Sequence, residues 1–217
     1  EVESLLDDET ADEREKEKAK SQWSALEAIV GTDARLQEVA EDLISHYEKR
    51  NETQLGKAMI VTMSRDICVR LYDKIVEIRP EWHSDDHMTG AIKVVMTASA
   101  SDKAYLQPHH TNKAQKKDLE KRFKDPEDPL KIVIVRDMWL TGFDAPCLAT
   151  MYIDKPMRGH GLMQALARVN RAFKDKSGGV IVDYFGLASE IAKAVDHYTA
   201  HRGAGQVMYD IEQAEHL

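Results

Sequence analysis

Short apolar runs that alternate with amphipathic segments constrain the fold of this chain more than any other feature. Five such runs predict strands, at residues 58–62, 92–96, 132–135, 150–153 and 179–183. The run Ile132–Val135 is wholly apolar and β-branched, which is typical of a strand buried on both faces of a parallel sheet. Because helical patterns separate the runs, the sequence predicts an α/β fold with a mostly parallel sheet flanked by helices.

Further helical segments flank this core. Trp23, Leu26 and Val30 share one face of a first helix that Gly31 ends, and a second amphipathic helix continues to Tyr47. A polar break at 51–56 predicts a boundary. We therefore expect a helical linker or packing segment at 1–55, the α/β domain at 56–186, and a C-terminal helix with a truncated tail at 187–217. The first residue is not methionine, which suggests an excised fragment.

Charge and cysteine content limit the possible classes of function. The net charge of −8 argues against a wholly basic surface that coats nucleic acid, although a local patch remains possible. Two cysteines make no disulfide framework and suggest a reducing cytosol. The chain has neither a signal-peptide pattern nor an apolar run of membrane-spanning length.

The segment 103–124 is the strongest candidate for a basic patch. Its pattern predicts a helix with Leu119 and Phe123 facing inward and a basic outer side, for which an ordinary solvated face is at least as good an interpretation. The bases are Lys103, Lys113, Lys116, Lys117, Lys121, Arg122 and Lys124. The loop at 81–90 contains histidines and carboxylates, but it has no cysteine and no ligand pair at helix spacing, so we predict a polar loop and no metal site.

A polar turn follows the run at 132–135. Arg136 and Asp137 come first, and Gly142, Asp144 and Pro146 follow. Ligands of open α/β sheets bind beyond the carboxyl ends of the strands, which is where this turn should lie. A carboxylate at Asp144 can accept hydrogen bonds from ribose hydroxyls or hold an arginine in position.

The segment 161–173 reads G-L-M-Q-A-L-A-R-V-N-R-A-F and has a clear helical period. Leu162, Leu166 and Val169 mark the face that should be buried, with Phe173 one turn further on. The other face carries Gln164, Arg168 and Arg171. Guanidinium groups match phosphate oxygens with paired hydrogen bonds, so this face is suited to an anionic ligand. The alternative is a solvated arginine face.

Together, the turn and the helix resemble the last two motifs of superfamily-two helicases and translocases. The helix matches Q-x-x-G-R-x-x-R except that Ala167 replaces the usual glycine, and the turn matches G-x-D. The stretches W-L-T-G-F-D-A-P and D-K-P-M-R-G-H-G-L-M-Q-A-L-A-R-V-N-R resemble more particularly the motor region of the restriction (R) subunit of type I restriction–modification enzymes. The resemblance covers about residues 23–186 and implies the second RecA-like domain of an ATP-dependent double-stranded-DNA translocase, in a bacterial or archaeal cytoplasm.

The resemblance also implies roles for individual residues. Arg171 would be the arginine finger that reaches the γ-phosphate of ATP, and Arg168 would assist it. Gln164, Gly142 and Asp144 would complete this chain's share of the ATP site. Contacts to the DNA backbone would come from Ser64, Arg65, Thr97 and Arg136, although Arg136 stands where the family often has threonine and Ser64 could equally be a helix cap.

The chain lacks the phosphate-loop pattern G-x-x-x-x-G-K-[ST], because Gly56 and Lys57 are followed by Ala58. The resemblance therefore implies that ATP and Mg²⁺ are bound jointly with a first RecA-like domain, and that this fragment alone is inactive. The nuclease domain of the same subunit, the modification subunit and the specificity subunit would be further partners. A non-enzymatic nucleic-acid or protein interaction module with the same fold remains the alternative.

Overall fold

The computed structural model describes residues 13–169, 178–187 and 210–213. The helices are α1 (Glu13–Val30), α2 (Asp33–Thr53), α3 (Arg65–Ile78), α4 (Lys113–Lys124) and α5 (Gly159–Val169). The strands are β1 (Lys57–Thr62), β2 (Ile92–Val95), β3 (Ile132–Val135), β4 (Leu148–Asp154), β5 (Val180–Asp183) and β6 (Asp210–Gln213). Short 3₁₀ helices lie at Pro80–Trp82 and Ala104–His109.

The six strands form one sheet in the order β2-β3-β1-β4-β5-β6, and every neighbouring pair is parallel. All carboxyl ends therefore lie at the same edge, which we call the carboxyl edge. The predicted parallel α/β fold is confirmed, and β3 has the predicted bounds. The weakly patterned tail gave no indication of β6.

Alternating side chains of each strand enter two hydrophobic layers. Ile60, Ile134 and Tyr152 pack with the buried faces of α2 and α3 on one side of the sheet. Met59 and Val133 pack with α4 and α5 on the other side. The period of two along each strand thus sorts the apolar residues into two cores, each covered by helices, as burial of both faces of a parallel sheet requires.

Helix α2 belongs to the first of these cores. Leu36, Leu43 and Tyr47 are buried, and the Tyr47 hydroxyl donates to the carbonyl of Gly56 over 3.2 Å. The helix continues past the polar break expected at Asn51. The Asn51 amide donates to the Tyr47 carbonyl at 2.9 Å, and its oxygen accepts from Gly56 N–H at 3.0 Å. Asn51 therefore fastens the last turn of α2 to the start of β1, and the division at 55/56 remains a prediction.

Cys68 and Cys147 are both buried and are not joined in a disulfide. Within the residues described here, no helix combines the length and apolarity needed to cross a membrane. The predicted C-terminal helix lies outside the described residues, apart from its first position, Leu187.

Candidate functional site

The loop after β3 is joined to the loop after β4 by an ion pair. Arg136 and Asp137 follow the last residue of β3 and are exposed, and Arg136 Nε lies 3.1 Å from the Asp137 carboxylate. The same carboxylate accepts from Lys155 Nζ at 2.7 Å. The Lys155 side chain is only 2% exposed, so Asp137 compensates a buried charge. Arg136 therefore lies at the carboxyl edge, as predicted.

Two left-handed residues shape the turn that follows. Gly142 has a φ of +66°, and a side chain there would meet no other atom within 4 Å. The left-handed backbone conformation, and not crowding, thus favours glycine at this position. Trp139 has a φ of +68°, and its indole stacks on the ring of Phe143 at a centroid distance of 4.4 Å. Asp144 is exposed beside this turn.

Helix α5 has the two faces that its sequence predicts. Leu162, Leu166 and Val169 are buried against the sheet, whereas Gln164 and Arg168 are partly exposed. Arg168 Nε donates to the carbonyl of Leu140 over 3.2 Å. This bond links the helix to the turn containing Gly142, so the structure brings the two motifs together. Arg171 and Phe173 lie outside the described residues.

A second polar group lies after β1 and β2. Ser64 is the N-cap of α3 and accepts from Ile67 N–H at 3.2 Å. Arg65 donates to the carbonyl of Thr97 at 2.8 Å and to the carboxylate of Asp102 at 2.6 Å. The structure therefore groups Ser64, Arg65 and Thr97, and it shows the capping role of Ser64 directly.

Asp102 is a residue of this group that sequence reasoning missed. Its side chain is 3% exposed, and it also accepts from the backbone N–H of Ser99 at 2.9 Å and pairs with His110 Nε2 at 3.0 Å. Burial raises the pKa of Asp102, but the hydrogen bonds from Arg65, Ser99 and His110 outweigh burial and hold the pKa below its usual value. A lone acid in the hydroxyl-rich loop after a predicted strand was the available signal.

Strand order explains how these groups form one row. Since β3 lies between β2 and β1, Arg136 comes between Thr97 on one side and Ser64 on the other. Lys155 follows β4, the next strand along. The four predicted DNA-binding residues therefore occupy the ends of three adjacent strands, while Arg168 reaches the same edge from α5.

A buried ion pair that was not predicted lies at the end of β4. Arg35 near the start of α2 binds both carboxylate oxygens of Asp154, at 3.1 and 2.6 Å, and donates to the carbonyl of Tyr184 at 3.1 Å. Asp154 is fully buried, and burial raises its pKa. The partners are 119 positions apart, so no local pattern could have indicated them.

The segment 103–124 is less basic on its outer side than predicted. Leu119 and Phe123 are buried as expected, but Arg122 is also buried. Its guanidinium donates to the carbonyls of His87, Thr89 and Gly90 at 2.7–3.1 Å and pairs with Asp128. Arg122 therefore organises the loop at 81–90 and does not contribute to a surface patch. The described residues contain no group of three or more His, Cys, Asp or Glu side chains placed to hold a metal ion.

A parallel sheet flanked by helices, with charged side chains gathered at its carboxyl edge, defines a RecA-like α/β domain. Residues 81–186 match the family model for type I restriction enzyme subunit R domain 3. The chain therefore contains a domain of the family found in type I restriction enzyme R, or endonuclease, subunits.

Individual relatives agree with this family. The chain is 58% identical over 189 residues to the type I restriction enzyme HindI endonuclease subunit of Haemophilus influenzae, covering 86% of this chain and 18% of that one. It is 46% identical over 190 residues to a Methanocaldococcus jannaschii protein assigned as the MjaIXP endonuclease subunit, covering 87% of this chain and again 18% of the relative. This chain therefore spans less than one fifth of the length of these relatives.

A solved structure shares the fold. A fragment of an HsdR subunit of a type I restriction enzyme from Vibrio vulnificus YJ016 superposes with a TM-score of 0.58 at 14% identity. The match covers 83% of this chain and 32% of that chain. At this level of identity the likeness concerns the architecture alone.

Proposed function

We propose that this segment is the second motor domain of an ATP-dependent double-stranded-DNA translocase within a type I restriction endonuclease R subunit. The hydrogen bond between Arg168 Nε and the Leu140 carbonyl carries the proposal. It joins the arginine-bearing helix α5 to the G-x-D turn at the carboxyl edge, where ligands of open α/β sheets bind. A solvated arginine face would not need this attachment to the turn.

The residues at this edge fit one side of a nucleotide. Arg168 contributes a guanidinium whose Nε is fixed by a hydrogen bond, and Asp144 contributes an exposed carboxylate. Gly142 adopts the left-handed conformation of the turn. In our proposal Arg168 and Arg171 bind the γ-phosphate, and Arg171 acts as the arginine finger. Gln164 helps to place the attacking water, and Asp144 meets the ribose or orients an arginine. Hydrolysis of the bound ATP supplies the free energy for translocation. The first RecA-like domain holds the Mg²⁺ of that ATP.

The row of residues at the ends of β2, β3 and β1 supports a DNA track. Arg65 and Arg136 can contact phosphates, and Ser64 and Thr97 can donate hydrogen bonds beside them. Backbone contacts suit translocation because they do not depend on base sequence. A row of this kind is compatible with a net charge of −8, since the positive groups are local.

The arginine assignments are tested in the full-length R subunit, assembled with its modification and specificity subunits. Arg171→Ala and Arg168→Ala should each leave the protein folded, and Arg171→Ala should lower DNA-stimulated ATPase turnover by about 10³-fold or more, as arginine fingers do. Arg171→Lys should restore little, because a point charge lacks the planar fork. Arg79→Ala, which removes an ion pair with Glu48 at the end of α3, is the matched control. DNA-stimulated turnover of Arg171→Ala within a few-fold of wild type would contradict the assignment of Arg171 as the arginine finger.

The DNA track has its own test in the same assembly. Arg65→Ala and Arg136→Ala should each weaken DNA binding equally for unrelated sequences and should reduce the slope of log affinity against log salt by about 1. Lys49→Ala, an exposed change on α2, should alter neither quantity. Unchanged salt dependence in both arginine variants would contradict the track.

Reconstitution with the first RecA-like domain separates the motor from a non-enzymatic interaction module. We expect this fragment alone to show neither tight ATP binding by calorimetry nor hydrolysis. Hydrolysis stimulated by DNA should appear when the first domain is supplied. Micromolar ATP affinity of the isolated fragment, or a reconstituted pair without DNA-stimulated hydrolysis, would argue against the proposed division of the site.

A further inference from the structure

The turn after β3 holds a tryptophan in a backbone conformation that bulky residues rarely adopt. Trp139 has a φ of +68°, and among the residues of this structure that are described it is the one non-glycine residue with a positive φ. The left-handed region costs about 1–2 kcal/mol for a residue with a Cβ atom. Such conformations persist where the surroundings over-determine them, and they cluster at functional sites.

Aromatic packing holds this conformation in place. The indole of Trp139 lies nearly parallel to the Phe143 ring, at 4.4 Å and an interplanar angle of 4°, and it also stacks on Phe123 at 5.8 Å. Phe143 and Phe123 are buried, and Lys124 Nζ lies 5.0 Å from the Phe143 ring centroid. The tryptophan is thus anchored to side chains that the core fixes.

The start of the turn is anchored as well. Leu140 N–H donates to the carbonyl of Asp137 at 3.3 Å, which closes the turn. The carboxylate of Asp137 is held by the buried ammonium of Lys155. The Trp139–Phe143 stack therefore restrains the middle and end of this turn, and the Lys155–Asp137 ion pair restrains its start.

The restrained turn includes Leu140, the residue after Trp139, and its backbone carbonyl is a hydrogen-bond acceptor for α5. This carbonyl accepts the hydrogen bond from Arg168 Nε. Rotation about the backbone bonds of Trp139 would reorient Leu140 and so move its carbonyl, the acceptor, which lies in the next peptide group. Because a guanidinium is planar, a fixed partner at Nε also fixes the plane in which its two terminal nitrogens lie.

We propose that Trp139 is a positioning residue for Arg168: its left-handed, stacked conformation holds the Leu140 carbonyl against Arg168 Nε and so sets the direction of the guanidinium. This inference rests on the proposed role of Arg168 in ATP hydrolysis. Trp139 itself touches neither ATP nor DNA in this scheme.

The test uses the full-length R subunit in its assembled complex. Trp139→Gly keeps the left-handed backbone accessible but removes the stack, so kcat for DNA-stimulated ATP hydrolysis should fall on the order of tenfold while KM for ATP changes less than about twofold, as expected for an effect on the transition state alone. Trp139→Phe keeps a stacking ring and should retain kcat within about threefold. Trp82→Gly is the control, because it removes a partly buried tryptophan outside this turn. It should lower thermal stability without lowering kcat per folded enzyme.

A double-mutant cycle distinguishes positioning from general loosening of the fold. In an Arg168→Lys background, which has no Nε, Trp139→Gly should cause little further loss of kcat, because coupled residues are not additive. An undiminished additional loss in that background, or wild-type kcat in Trp139→Gly, would overturn the inference. Wild-type turnover in Arg168→Ala would instead overturn the proposed role of Arg168. If Trp139→Gly does not fold, Phe143→Leu removes the stacking partner while keeping apolar volume, and the same outcomes decide.

Discussion

The guanidinium of Arg122 is buried, and its charged contacts lie within the protein. Its guanidinium satisfies three carbonyls of the loop at 81–90 and pairs with Asp128, and Lys57 Nζ in turn donates to the Arg122 carbonyl at 2.7 Å. Planar geometry and five donors suit arginine to this task, and lysine can reach only part of the set. The basic segment thus contains a residue whose role is to order a loop.

We expect Arg122→Lys to lower the free energy of unfolding by about 2–4 kcal/mol, because buried carbonyls lose their donors. Urea unfolding of the chain measures this change. Lys121→Ala, whose side chain is 69% exposed, is the control and should change stability by less than about 0.5 kcal/mol. Equal stabilities for the two variants would show that the carbonyls find other donors.

His109 should make the protein less stable in mild acid. Burial lowers the pKa of His109 from 6.5 to about 4, and Lys93, His83 and His110 add to the effect, while its ring packs edge-on against Tyr72 at 4.7 Å. Above pH 6.5 the residue is neutral in both states. As the pH falls from 6.5 towards 4, His109 binds a proton in the unfolded chain but not in the folded chain. The free energy of unfolding therefore decreases in this window.

The expected loss from His109 is about 1–2 kcal/mol after allowance for its partial exposure. Urea titrations across this pH window should therefore show a shallower decline for His109→Gln than for the wild type. His87→Gln, in the loop at 81–90, serves as the comparison. A decline of unchanged steepness in His109→Gln would assign the acid sensitivity to other groups.

At the scale of elements, α2 behaves as part of the core. Leu43 is fully buried within the layer that also contains Ile60 and Ile134. Leu43→Ala should therefore destabilise the whole domain by about 2–5 kcal/mol, with a single unfolding transition. Lys49→Ala, exposed on the same helix, should have little effect. If circular dichroism instead showed an early melting of helix with the sheet unaffected, the boundary predicted at 55/56 would also be a stability boundary.

The sequence was most informative about single elements, since periodicity is a local property. The burial of both faces of Ile132–Val135 and the two-faced character of α5 follow from the spacing of apolar residues alone. The end of α2 was placed too early because the side chain of Asn51, a residue with low helix propensity, here bonds to Gly56, the residue before β1. Local propensity yields where a tertiary contact satisfies the backbone.

At the scale of the whole molecule, the information that the sequence lacked was spatial order. The placement of β3 between β1 and β2 puts Arg136 between Ser64 and Thr97, and nothing in the motif spacing specifies that order. The same holds for Asp102 and for the Arg35–Asp154 pair, whose partners are distant in sequence. The left-handed Trp139 was also missed, because tryptophan carries no propensity for that conformation.

The bond between Arg35 and Asp154 has a mechanical consequence. It couples the first turn of α2 to the end of β4, so a tilt of the carboxyl edge must carry the junction of α1 and α2 with it. Helix α1, with 18 residues, extends about 27 Å from that junction. As with any rigid arm, the displacement of its far end grows with its length. If α1 turned rigidly with the edge, a rotation of a few degrees would move Glu13 by about an ångström or more, against the packing of Trp23 and Leu26 on the first core.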